Sequence, residues 1–243
     1  MTRKAASIVG AGDATGGAIA QKLAEQGMHV AAVRRPRNSE KLSALADQEF
    51  ASGGKIYAYA ADAREETEVV NLFADVEANI GPIEVVIFNI GGNVYFPIRE
   101  TTAQVYRKVW EMCSFAGFLA GREAAKHMVP RGRGSVFFTG ATASIRGGSG
   151  FSAFASGKFA LRALAQSMAR ELGPEGIHVA HLVVDSAIDT EWIAKNFPDR
   201  YALKEKDGLV KPSDIADIYW QLHCQPRSAW VSELDVRPYM ESF

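Results

Sequence analysis

Ala5-Ala6-Ser7-Ile8-Val9-Gly10-Ala11-Gly12-Asp13-Ala14-Thr15-Gly16-Gly17-Ala18-Ile19-Ala20-Gln21-Lys22-Leu23 reads as a short apolar run, a turn of small residues and the start of a helix. After the turn, Ile19, Ala20 and Leu23 share one helical face. This succession builds an anion site: small residues let the backbone approach a phosphate, and the helix-terminal N–H groups face it. A glycine-rich loop alone also fits a plain tight turn. The phosphate reading, on Gly10, Gly12, Ala14 and Gly16, is favoured because this loop heads a repeating strand–helix pattern.

The repeat can be followed along the chain. Met28 to Val33 is the next strand, then come a helix about Ser39 to Ala51 and a strand about Ile56 to Ala60. A helix about Glu65 to Asn79 leads to the strand Ile83 to Phe88, and a long helical pattern fills Thr101 to Met128. Strands Ser135 to Thr139 and Ile177 to Val184 follow, with an edge strand at Leu234 to Val236. These strands are continuous apolar runs, as parallel strands covered on both faces should be. The predicted fold is a single α/β domain over 1–243, a doubly wound Rossmann-type sheet, mostly parallel, of about seven strands.

The second strand ends in Arg34-Arg35, eighteen residues after Gly16. An acidic residue here would hold a ribose 2′-hydroxyl, whereas arginine suits a 2′-phosphate. NADP is therefore expected over NAD, with a solvated basic turn as the plain alternative. Asp62 closes the third strand, where it can cap the next helix with Glu65 or face an adenine. Asn89-Ile90-Gly91-Gly92 lies at the carboxyl end of the fourth strand, where open α/β sheets bind ligands.

Phe151, Phe154, Leu161, Ala165, Met168 and Leu172 mark one face of a further helix, and Lys158 falls on that apolar stripe. Either its stem packs on the core edge with the amine in water, or the amine is held at a cleft floor to meet a ligand. The second reading is preferred. The polar stretch from Asp185 to Gly208 reads as an irregular lid over a substrate pocket, and Lys211-Pro212 opens the last helix.

Composition narrows the partners. With 243 residues, 47% hydrophobic and 23% charged, the chain is an ordinary globular one, and a net charge of −1 disfavours nucleic acid or an anionic membrane. No apolar run reaches membrane-spanning length, and no signal-peptide pattern is present. Cys113 and Cys224 have no metal-ligand spacing, so a reducing, cytoplasmic setting is expected. His178 and His181, three apart on a strand, point to opposite faces, and no metal site is expected.

Taken together these residues resemble the short-chain dehydrogenase/reductase family along nearly the whole chain. Gly10, Ala14 and Gly16 fall on its Gly-x-x-x-Gly-x-Gly loop, with alanine at the middle glycine. Asp62 falls on its adenine-contacting aspartate, and Phe88-Asn89-Ile90-Gly91 on its Asn-Asn-Ala-Gly. Lys158 falls on the lysine of Tyr-x-x-x-Lys, and Thr190 on its nicotinamide-side contact. The catalytic set departs: Phe154 stands for tyrosine, Ala141 for serine and Cys113 for asparagine. The resemblance implies that Lys158 grips the nicotinamide ribose while the usual proton donor to a carbonyl is missing. Tyr95 and Tyr201 are the candidate substitutes, and Ser144, Ser149 and Ser152 are expected to flank the pocket.

Two functions follow from that. One is an NADP(H)-dependent oxidoreductase with a relocated or absent proton donor, acting on a small-molecule substrate. The other is a catalytically silent dinucleotide-binding protein, a redox sensor or inactive partner subunit. The resemblance further implies a homodimer or homotetramer through the helices at about 101–128 and 152–172.

Overall fold

The five inner strands are covered on both faces, whereas the edge runs 55–60 and 233–236 are partly exposed, a departure from the expected two-sided burial that follows from their place at the ends of the sheet. In the computed structural model of this chain, residues 3–241 are described, the side chains of Ser39 and Glu40 excepted. The strands are β1 (Ala5–Val9), β2 (His29–Arg34), β3 (Lys55–Ala60), β4 (Ile83–Phe88), β5 (Gly134–Thr139), β6 (Ile177–Val184) and β7 (Glu233–Val236). They form one sheet of order β3-β2-β1-β4-β5-β6-β7, and every pairing is parallel, that of the edge strand β7 included.

The strand alternation divides the core between two faces. Ala5 and Val9 face one layer with Phe88 and Phe138, while Ala6 and Ile8 face the other with Ile87 and Phe137. Helices α1 (Thr15–Glu25), α2 (Ser43–Ala46), α3 (Glu66–Asp75), α4 (Ala103–Trp110), α5 (Ala116–Met128), α6 (Ser152–Leu172), α7 (Glu191–Asn196), α8 (Pro198–Tyr201) and α9 (Pro212–His223) complete the fold. α3, α5 and α6 cover the first face through Phe73, Leu119 and Leu161. α1 and α9 cover the second through Ile19, Leu23, Ile215 and Tyr219.

Several predicted boundaries are corrected. The helix placed at Ser39 to Ala51 is a 3-10 stretch, Pro36–Leu42, followed by the single turn of α2. Of its apolar residues only Leu42 is fully buried, with Leu45 and Phe50 partly so, and that is too little to hold a longer amphipathic helix. The predicted helix over Glu65 to Asn79 ends in a wide π turn, Val76–Ile80. That over Thr101 to Met128 starts two residues later, at Ala103 with Thr102 as N-cap, and is interrupted by a π turn at Glu111–Phe115. The extra residue re-phases the buried side from Val109 to Cys113, Ala116 and Leu119. The segment after β6 is not irregular: α7, α8 and a 3-10 turn at Ala202–Lys206 fill it.

Candidate active site

The strand order reverses between β1 and β4, and the loops leaving the strands there spread apart to leave a trough at the carboxyl edge of the sheet. Its narrower end has a volume of about 210 Å³ and is lined by Gly10, Gly12, Arg34, Arg35, Asp62 and Arg64, among others. Its wider end, about 830 Å³, is bounded by the β5–α6 loop, α6 and the segment after β6. Asn89, Ile90 and Gly91 line both ends, so the two chambers are continuous across the switch point.

The narrow end is built by backbone approach. Gly10 has φ +101°, and a Cβ there would lie 2.9 Å from the Asn89 carbonyl carbon. Asn89 is drawn to the same loop, its Nδ2 donating to the Gly10 carbonyl at 3.2 Å. Gly16 does not line the trough. Its Cα packs on the loop backbone, where an added Cβ would sit 2.7 Å from the Cα of Ala11. Ala14 is the N-cap of α1 and offers no side-chain oxygen; the Gly17 N–H already donates to the Gly12 carbonyl at 2.8 Å, so the Thr15 and Gly16 N–H groups are the ones left to an anion. A Cβ on Gly12 or Gly91 would point into open space, so both leave a cradle for an extended ligand.

Charge at this end is paired before any ligand arrives. Arg34 donates to Asp13 through both terminal nitrogens, and Lys41 donates to the same carboxylate at 3.1 Å. The Arg34 hydrogen bond, with help from Lys41, holds Asp13 below the usual carboxylate range. Arg64 grips Asp62 in a fork, 2.9 Å from Nε and 2.5 Å from the terminal nitrogen, which likewise lowers the Asp62 pKa. The expected Asp62–Glu65 capping box is absent: the N-cap Glu65 makes no side-chain cap, and the Asp62 N–H donates to Glu68 instead. Burial lowers the Arg35 pKa from its ordinary value. Three guanidinium groups line the chamber against one lining carboxylate.

At the wide end α6 sets the floor. Lys158 is only 3% exposed, and its Nζ donates to the Thr139 carbonyl at 2.7 Å and the Ile90 carbonyl at 3.1 Å. Burial pushes its pKa down. The amine is therefore pinned across the ends of β4 and β5 beside the wide chamber, with one of its three N–H donors not used by these two bonds. Phe154, one turn earlier, and Ala141 line the same chamber, as does Thr190, whose Oγ1 caps α7 by accepting the Ile193 N–H at 3.2 Å.

Other predicted residues are not brought here. Cys113 is fully buried and lies against Gly92 and Gly157, away from the lining, where burial raises its thiol pKa against the pull of Lys158. Tyr95 stands outside the trough, 62% exposed and edge-on to Phe151. Tyr201 is also outside it, its hydroxyl accepting from Lys204 at 3.2 Å. Neither hydroxyl lines the trough in this arrangement. Ser144, Ser149 and Ser152 do not line the trough either, and the Ser144 Oγ accepts the Ala141 N–H at 3.1 Å.

Sequence reasoning missed several lining residues. Arg146 sits in the glycine-rich loop after β5, where a lone arginine among small residues was a visible signal. Thr142 donates to the buried Asp185 at 2.5 Å. Trp192, Phe197 and Arg200 come from α7, α8 and the residue between them. Glu241 arrives from beyond β7 and pairs with Arg200, accepting also from Ser186 at 2.9 Å. No local pattern marks Glu241, because its partners are distant in sequence.

A family model described as short chain dehydrogenase matches residues 4–200. A short-chain dehydrogenase/reductase of Hericium erinaceus is 33% identical over 229 residues, 90% of each chain. The 2,3-dihydro-2,3-dihydroxybenzoate dehydrogenase of Bacillus subtilis is 30% identical over 88% of this chain and 86% of its own. Among solved structures, a short-chain dehydrogenase from Rhodopseudomonas palustris has a TM-score of 0.83 at 50% identity, covering 97% of this chain and 99% of that one. A metagenomic short-chain oxidoreductase in complex with NADP has a TM-score of 0.82 at 25% identity, covering 99% of both chains.

Proposed function

The chain belongs to the short-chain dehydrogenase/reductase family, and from that premise we propose that it is an NADP(H)-dependent oxidoreductase acting on a small organic molecule. The observation that carries the proposal is the single trough joining the Arg34–Arg35–Arg64 chamber to the one floored by Lys158. Its two chambers, which share Asn89, Ile90 and Gly91, and the open space beside Gly12 and Gly91 fit an extended dinucleotide. A bound nicotinamide would supply the hydride exchange. The uncapped N-terminus of α1 would hold the pyrophosphate, Lys158 and Asn89 the nicotinamide ribose, and Thr190 the nicotinamide side. Excess guanidinium at the other end supports NADP over NAD, which remains the alternative.

Substrate reduction is limited by what the wide chamber lacks. A general acid must reach the oxygen it protonates. Phe154 and Ala141 present only carbon, the Thr142 hydroxyl is committed to Asp185, and no tyrosine among the described residues lines the trough. That same observation favours a second reading, a dinucleotide-binding protein that does not turn over and acts as a redox sensor or inactive partner subunit. Exposed Trp110, Phe118 and Phe159 on α4, α5 and α6 support a homodimer or homotetramer. The free thiols of Cys113 and Cys224 support a reducing, cytoplasmic setting. Among the described residues no helix is long and apolar enough to cross a membrane.

Calorimetric titration with NADPH, NADH and their oxidised forms is the test. Micromolar binding with NADPH preferred is the expected result, and turnover in a carbonyl and alkene substrate panel then separates the two readings. No binding of any form would overturn both.

A further inference from the structure

The charged groups around the wide chamber do not all have the same freedom. Lys158, Arg146, Arg200 and Glu241 line it. The Lys158 amine is held by two backbone carbonyls. Arg200 and Glu241 neutralise one another, with Ser186 bonded to the same carboxylate. Arg146 is different. Its backbone N–H donates to the Thr142 carbonyl at 3.0 Å, which fixes the loop that carries it. Its guanidinium is half-exposed and lies 3.6 Å from the Asp185 carboxylate, outside hydrogen-bond range.

Asp185 is only 2% exposed and already well supplied with donors. The Thr142 hydroxyl reaches it at 2.5 Å and Arg237 at 3.3 Å. Asp185 therefore steadies the Arg146 guanidinium at ion-pair distance without a hydrogen bond to its N–H donors. What remains is a planar, permanently charged fork on the chamber wall, the shape that takes a carboxylate through two parallel hydrogen bonds. The same chamber also presents apolar side chains: Phe151, Phe154, Ile188, Trp192, Ile193 and Phe197.

We propose that the wide chamber takes an amphipathic carboxylate, an apolar ring or chain lying against these side chains with its single anionic group on Arg146. This rests on the reading of the trough as a dinucleotide-dependent site, and it names the substrate class of that site. The apolar wall selects the body of the ligand by area removed from water, and Arg146 fixes which end points out of the chamber.

The test is calorimetric titration of the intact protein, saturated with NADPH, with 2-naphthoate and with its neutral counterpart 2-naphthamide. The expected result is at least tenfold tighter binding of 2-naphthoate, a preference that shrinks as salt is raised because Arg146 is half-exposed. R146Q should abolish the preference while leaving the affinities for 2-naphthamide and NADPH unchanged, and R146K should retain only part of it. Equal affinity for the two probes, or a preference that survives in R146Q, overturns the proposal even where NADPH binds. A preference for 2-naphthoate in protein that fails to bind NADPH would overturn the dinucleotide reading and leave the anion site standing.

Discussion

A lysine amine removed from water has to be justified by its neighbours, and Lys158 is justified by the carbonyls of Thr139 and Ile90. One helical turn back, Phe154 occupies the position from which a hydroxyl would reach the same space, with Ala141 across from it. Restoring both hydroxyls in Phe154→Tyr/Ala141→Ser should raise NADPH-dependent carbonyl reduction at least tenfold over the parent, measured with a panel of ketones. An inert double variant that still binds NADPH would show that more than the proton donor is missing. These two departures were legible in the sequence because spacing along one helix and its preceding strand fixes them relative to Lys158. Arg34 gripping Asp13 was not, since that pairing depends on how two loops meet. His181 carries a second consequence. It is buried beside Glu233, and burial pushes its pKa down from 6.5 to about 4. The unfolded chain thus binds this proton more readily, so its contribution to stability is full above pH 6.5 and lost as pH falls from there to about 4. The gap amounts to ~3 kcal/mol. Urea unfolding of His181→Gln should lose correspondingly less stability than the parent between about pH 7 and pH 4.

The helices that border the trough differ in how firmly they are held. α6 buries Phe154, Lys158, Leu161, Ala165 and Leu172 along its length, whereas α7 and α8 bury no residue completely. What fastens α8 is polar: Arg200 to Glu241, Glu241 to Ser186, and nearby Lys204 to Asp189 at 3.0 Å. Glu241→Gln should therefore raise amide hydrogen exchange across Glu191 to Lys206 by several-fold while α6 is unaffected, as read by mass spectrometry. Equal protection in both proteins would mean that packing, not the ion pair, holds α8. The periodicity of α6 and the apolar runs of the strands were readable from sequence because burial writes itself into spacing. The short helices after β6 were not, because half-buried residues such as Ile193 and Tyr201 leave no clear stripe. The π turn at Glu111–Phe115 escaped notice for a related reason: one extra residue shifts the phase of a pattern without breaking it.

At the scale of the molecule, α4, α5 and α6 present Trp110, Phe118 and Phe159 to solvent, with Trp110 stacked on Phe115 and Phe115 on Phe118. Assembly through this face predicts that Phe118→Asp/Phe159→Asp sediments as a monomer where the parent sediments as a dimer or tetramer. An unchanged sedimentation coefficient would place the assembly elsewhere or rule it out. The fold itself was the most legible feature, since seven strands alternating with helical segments admit few topologies. The strand order also sets a schedule. β1 is synthesised before either of its two neighbours, and one of them, β4, begins only at Ile83. Until that point is synthesised, the half-sheet β3-β2-β1 ends on a strand, apolar but for Ser7, with an open edge, a template for pairing with other chains. The interval between Val9 and Ile83, while that edge stays open, is one in which a holding chaperone would matter.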